Sequence, residues 1–268
     1  MQSRNPVLRR ATQQASGVDL GSPSVPTPSA EELDSIFGLR SAADGRLTVD
    51  DVIVKTGLCF VVLLVGAVAG WSFVVTMPWL LFAAAIAGFG LAMANIFMKK
   101  VNPVLVLAYS LAQGLMLGAV SYMYNDMALA NNYHGIVQQA VVGTLVTFGV
   151  MLAMYKMNII KVSSRTRRMF MVALMSYVVI GLISLVAAIF GVGGGLGFYG
   201  VGGFGIAICA IGAGLAAFSL VIDFDAIAQT VKIGAPEHES WRLAFGLLVT
   251  LIWLYLELLR LIALLSRR

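Results

Sequence analysis

Long apolar runs, separated by short polar joints, fill most of the chain. The runs are about 20 residues long, the length a helix needs to cross roughly 30 Å of hydrocarbon. They predict seven spans, at about Val52–Val75, Pro78–Met98, Pro103–Tyr124, Gly135–Tyr155, Met169–Phe190, Phe204–Ala228 and Trp241–Leu265. Thr48 followed by Asp51 is a capping box that opens the first span. Lys55, one turn in, can snorkel to the headgroups. Residues 1–30 are instead rich in Ser, Pro, Gln and Gly, with Arg4, Arg9 and Arg10 among them. Such a stretch cannot bury enough apolar surface to order itself, which predicts a mobile tail. Ser29 with Glu32 makes a second capping box, so Glu31–Leu39 reads either as a short helix resting Phe37 and Leu39 on a membrane or as plain solvated chain. The domains expected are a flexible extension over 1–50 and a seven-helix transmembrane domain over 51–268.

Composition supports this division. The chain is 59% hydrophobic and 12% charged, where a water-soluble domain holds about 25% charged residues. The expected fold is an all-α polytopic membrane protein. No cleavable leader is expected, because residues 1–50 lack an apolar run. Cys59 and Cys209 fall inside spans and read as two small buried thiols.

The net charge of +5 does not point to nucleic acid, because most basic residues sit in the joints, where they orient helices. Lys99, Lys100, Lys156, Lys161, Arg165, Arg167, Arg168, Lys232 and Arg242 occupy alternate joints. The other joints, near Ser72–Met77, Asn125–His134 and Gly191–Gly203, hold no Lys or Arg. The asymmetry places the N-terminus in the cytoplasm of a plasma (inner) membrane, against the weak contrary vote of Arg267 and Arg268.

Small residues crowd span two (Ala83, Ala84, Ala85, Ala87, Gly88, Gly90) and span six (Ala207, Gly212, Gly214, Ala216), which predicts close helix packing. The stretch Gly191–Gly205 has nine glycines but lacks the Lys-Ser/Thr ending of a phosphate loop. It reads as a flexible or re-entrant outer loop with no phosphate role.

Ionisable groups at membrane depth are costly and need a partner or a purpose. Asp223 and Asp225 lie near the inner end of span six, and Glu257 lies inside span seven. The two helices are therefore expected to face each other in the bundle centre. Asp225, two residues past Asp223, points to nearly the opposite face; Asp223 is the deeper acid and the better inward candidate. Arg260 shares a face with Glu257, so an intrahelical pair is available. The functional reading pairs Asp223 with Glu257. Two carboxylates in a dry site cannot both ionise cheaply, so the pair holds one proton when closed and repels when deprotonated, attracting a cation. Hard cations such as calcium take such oxygen ligands. One difficulty is geometric: Glu257 lies 16 residues past Trp241, about 24 Å along a helix, which is too deep to meet Asp223 if the last helix enters the bilayer at Trp241.

Asn95, Tyr109, Ser110, Gln113 and Tyr177 lie within spans, as helix–helix hydrogen bonds or as path-lining groups. His134 and His238 fall in joints with no zinc spacing, and His238 either modulates the inner mouth or sits in a solvated loop. No nucleophile has a base at a usable spacing, so no enzyme is expected. The candidate set is Asp223, Glu257 and Asp225 as cation ligands, with Arg260, Lys99, Lys100 and His238 as gate or charge partners.

The segments Ile222-Asp223-Phe224-Asp225-Ala226-Ile227 and Leu254-Tyr255-Leu256-Glu257, the latter followed by Leu261 and Ile262, resemble motifs of the Bax inhibitor-1/YccA family, also called the transmembrane Bax-inhibitor-motif family. The resemblance covers roughly residues 52–265, and a bacterial member is expected. It implies a seventh helix wrapped by six others, and a pH-sensitive calcium leak with Asp223 and Glu257 as the two acids of a latch. The chain differs in having Glu for the second acid, Ile before Asp223, a longer interval between the acids, an additional Arg260, and Lys99 or Lys100 where the family has an arginine.

Three functions follow. A pH-sensitive cation leak or exchanger uses the carboxylate pair, with calcium as the ion and no cofactor. A non-transporting regulator of a membrane protease or another membrane complex uses Glu257–Arg260 as a structural pair and another membrane protein as its partner. A proton-coupled solute transporter requires a cavity larger than an ion. In each case the lipid bilayer is the surrounding medium, and oligomeric state is open.

Overall fold

The computed structural model of the chain describes residues 45–98, 100–160, 162–195 and 197–266. The predicted tail, the Ser29–Glu32 capping box, the helix over Glu31–Leu39, and Lys99, Lys161, Arg267 and Arg268 lie outside the described residues.

Among the described residues seven long helices cross the fold: α1 (Val49–Phe73), α2 (Trp79–Phe97), α3 (Pro103–Leu129), α4 (Ile136–Lys156), α5 (Ser164–Ile189), α6 (Gly202–Lys232) and α7 (Ser240–Leu265). All are long and apolar enough to span a membrane. Among the described residues there is no sheet, only an isolated bridge between Arg46 and Pro236. The protein is an all-α polytopic membrane protein.

Local chemistry sets the helix starts. The Thr48 hydroxyl accepts from the Asp51 amide at 3.2 Å, while the Thr48 amide donates to Asp51 Oδ2 at 2.9 Å, completing the expected capping box. Asn102 accepts from Val104 N at 3.0 Å, with Pro103 at a first-turn position that needs no N–H. Ser163 accepts from Thr166 N at 3.1 Å and starts α5 before the expected Met169, so Arg165, Arg167 and Arg168 are helical. Helices α3 and α6 also outrun their apolar stretches, ending at Leu129 and Lys232. Polar residues continue a helix readily once its apolar length has anchored it.

Helix α7 packs against α1, α3, α4 and α6, and is the central helix. Helix α2 leans on α3, and α5 leans on α6 and on the segment that follows α5. Large apolar side chains face outward, among them Val54 and Val68 on α1, Phe82, Ile86 and Phe89 on α2, and Met169, Val172 and Met175 on α5. In water such a surface would be an aggregation liability; in a bilayer it faces lipid.

The closest seam lies between α1 and α3. Gly66 and Gly70 face Gly114 and Gly118, one four-residue glycine spacing against another. A Cβ added to Gly114 would lie 3.0 Å from the Gly66 Cα, and one on Gly66 would lie 3.1 Å from the Gly114 Cα. The backbones touch because nothing projects between them.

The seven-helix unit begins before residue 51. Leu47 is buried, its amide donates to Ala235 O at 2.9 Å, and Glu237 N donates to Gly45 O at 2.8 Å. This strap ties the chain ahead of α1 to the α6–α7 connection. Lys55 completes the tie by donating to Glu237 Oε1 at 2.8 Å and to Ser240 Oγ at 2.7 Å. It therefore does not snorkel, because a carboxylate and a hydroxyl within the protein satisfy the ammonium directly.

Two acids and a cavity along the central helix

The α6–α7 connection lies at the same end of the bundle as Lys100, Lys156, Arg165, Arg167 and Arg168, here called the basic end. The opposite end carries the glycine-rich segment. Because α6 and α7 run antiparallel, Asp223 lies toward the basic end and Glu257 toward the glycine-rich end.

Asp223 faces Thr250 of α7 across the seam. The Thr250 hydroxyl has one proton and two candidate acceptors, Asp223 and its own Gly246 carbonyl at 3.3 Å. Asp223 Oδ2 is buried without a hydrogen-bond partner. Asp225 turns the other way and takes Arg167 Nη2 at 3.0 Å, so it pairs at the basic end instead of joining Asp223. This outcome follows from the near-opposite faces of residues two apart on a helix.

Glu257 is 3% exposed. Its Oε1 accepts from Tyr177 OH at 2.8 Å, Trp253 Nε1 at 3.3 Å and Arg260 Nη1 at 3.4 Å, whereas Oε2 is buried with no partner. Tyr199 OH donates onward to Tyr177 OH at 3.2 Å. The Arg260 guanidinium lies 4.3 Å from the Tyr199 ring centroid, a cation–π distance, so it stays with the protein instead of extending to lipid. Gly212 of α6 makes room for this cluster, since a Cβ there would fall 2.9 Å from Glu257 Cδ.

The glycine-rich segment forms part of the site. It makes two short turns, Val192–Gly195 and Gly197–Gly200, that pack against α5, with the second also against α6. The Phe198 amide donates to Ser184 Oγ at 3.0 Å. Gly197 has φ +60° and its α-carbon lies against the Ser184 backbone, a position closed to a side chain on both counts. The expected flexible or re-entrant loop is therefore folded back on α5, where it brings Tyr199 over Glu257 and Arg260. Sequence reasoning missed Tyr199. Its signal was one aromatic pair, Phe198-Tyr199, inside a run of glycines.

The expected contact between Asp223 and Glu257 does not form. Gly212 registers with Glu257 and Asp223 with Thr250. Along α6 the second level lies eleven residues from the first, and along α7 seven, which at 1.5 Å per residue separates the acids by roughly 10–16 Å. The cause is the one counted in the sequence: α7 begins at Ser240, so Glu257 is past the middle of that helix. Among the described residues no group of three or more His, Cys, Asp or Glu side chains could hold a metal ion. Asp223, Asp225 and Glu257 therefore do not form one ligand cluster. Lys100 is exposed in the α2–α3 joint, and His238 lies 3.6 Å from Glu239 in the α6–α7 connection; neither pairs with Asp223 or Glu257.

The remaining polar candidates serve packing. Asn95 donates to Leu91 O at 2.9 Å and Leu105 O at 3.3 Å, Ser110 donates to Val106 O, and Tyr109 packs edge-on against Phe245. Gln113 faces Gly88, with its Oε1 buried and unpartnered. Ser121 and Tyr255 share a 2.6 Å hydrogen bond that ties α3 to α7.

Beside Glu257 lies a half-open cavity of about 490 Å³ between α5, α7, Tyr124 of α3 and Tyr199. The arrangement defines a seven-helix membrane protein with acids at two levels of its central seam. Its sequence matches the Bax inhibitor 1 like family over residues 5–267, and the chain belongs to that family. No curated protein matches it.

Proposed function

We propose that the chain is a pH-sensitive cation leak channel or exchanger, with calcium as the ion, in a bacterial plasma (inner) membrane with its N-terminus in the cytoplasm. The observation that carries this reading is the pair of buried carboxylate oxygens without partners, Asp223 Oδ2 and Glu257 Oε2, at two levels of one helix seam. A buried acceptor with no donor is costly unless an ion, water or a proton serves it. Two such stations suit a cation that hands over from one to the next. Protonation neutralises a station and removes its attraction, so flux should fall as pH is lowered. Arg260 holds Glu257 from the side and acts as a gate charge. The test is calcium flux into liposomes from about pH 5 to 8, with Asp223→Asn and Glu257→Gln beside the parent. The reading requires a pH-dependent flux that both substitutions reduce. Flux equal to that of empty liposomes at every pH, from folded protein, would reject it.

One observation favours a second reading. Glu257 and Arg260 neutralise each other on α7, and a site already neutral needs no cation. In that case the protein is a non-transporting regulator of a membrane protease or another membrane complex, and Glu257→Gln should change stability without changing any flux.

A further inference from the structure

The cavity beside Glu257 is larger than an ion path requires. Its volume of about 490 Å³ falls within the roughly 300–1,000 Å³ of small-molecule sites. Two opposite charges face it from one turn of α7. Glu257 is 3% exposed; its Oε2 is buried with no donor, while its other oxygen takes the Tyr177, Trp253 and Arg260 donors. The Arg260 side chain is 26% exposed; a guanidinium carries five N–H donors, which Arg260 divides among Glu257, Tyr124, Cys209 and the cavity. The two charges meet only at 3.4 Å, longer than the roughly 2.7–2.9 Å of a tight charge-assisted hydrogen bond. Leu185, Leu256 and Leu264 line it with apolar side chains, beside the rings of Trp253, Tyr124 and Tyr199.

A cation at Glu257 Oε2 leaves Arg260 unserved, and an anion at Arg260 leaves Glu257 unserved. A ligand carrying both charges serves both groups at once. We propose that this cavity binds a small zwitterion of the amino-acid class, its ammonium donating to Glu257 Oε2 and its carboxylate accepting from Arg260. Binding of this kind does not require that the protein conduct ions.

Thermal unfolding of the full chain in nanodiscs tests the assignment, with glycine, L-alanine, L-leucine, L-phenylalanine and L-glutamine as probes. Each is compared with its amide, which lacks the carboxylate, and its N-acetyl form, which lacks the ammonium. At least one amino acid should raise Tm saturably by about 2 °C or more, and its two blocked forms should not. The rise should vanish in Gly181→Leu, where the added side chain enters open space (the nearest atom to its Cβ is Tyr199 OH, at 4.0 Å). That variant narrows the cavity and changes neither charged residue. No rise with any of the five, from a parent that unfolds cooperatively, overturns the site. An equal rise with a blocked form overturns two-charge recognition, and a rise retained in Gly181→Leu overturns the location. An absence of calcium flux would bear on the ion path alone.

Discussion

Gly212 on α6 faces Glu257 on α7 so closely that a Cβ on the glycine would lie 2.9 Å from the Glu257 carboxyl carbon. The same Cβ would also strike the Tyr177 hydroxyl, the shortest donor to Glu257. Gly212→Ala should therefore cost about 1–3 kcal/mol by overpacking, seen as a lower Tm in detergent. Gly214→Ala, with nothing within 4 Å of its Cβ, should match the parent. Equal Tm values for the two variants would contradict the register assigned to the α6–α7 seam.

The α1–α3 seam makes a second expectation. Gly70 and Gly118 each meet backbone of the facing helix, so an alanine at either should push the two helices apart and destabilise by about 1–3 kcal/mol. Once one alanine has opened the seam, the second should cost less, giving a non-additive pair. Thermal unfolding of both singles and the double checks this, and strict additivity would mean that the sites do not share a contact.

Asp225 should behave unlike Asp223. Its partner Arg167 is half exposed, and an ion pair of that kind contributes roughly 0–1 kcal/mol. Asp225→Asn should leave Tm nearly unchanged and should not alter cation flux, while Asp223→Asn should reduce flux. A flux loss in Asp225→Asn equal to that in Asp223→Asn would make the basic-end acid part of the path.

Lys55 is expected to hold the strap. Lys55→Met removes the donor shared by Glu237 and Ser240. Faster amide hydrogen exchange should follow at Leu47 and Glu237, whose amides close the contact with Ala235 and Gly45. Unchanged exchange at both would show that the backbone contacts suffice without Lys55.

Much of this fold can be read along the chain, because apolar length determines a span and Thr48 with Asp51 marks its start. The depth mismatch between Asp223 and Glu257 was also countable, since rise per residue is fixed once α7 begins near Trp241. What could not be read is what joins positions far apart in sequence. Tyr177 stood out as a polar group within a span, but only the fold puts it against Glu257, 80 residues away. The fold likewise turns Lys55 toward Glu237 and lays Tyr199 over Arg260. The facing glycines of α1 and α3 had a visible signal, the same four-residue spacing in Gly66–Gly70 and Gly114–Gly118, but spacing alone does not say which helices pair.

The central claim is that Asp223 and Glu257 act on a cation at separate levels and not as a contacting pair. Calcium flux at one fixed pH, through the parent, Asp223→Asn, Glu257→Gln and the double variant, tests it most directly. Separate stations predict that the fold-losses of the two singles multiply in the double, within the roughly 0.3–0.5 kcal/mol expected of distant sites. A double variant no worse than either single would mean that the acids work as one unit, contradicting the separation observed along α6 and α7.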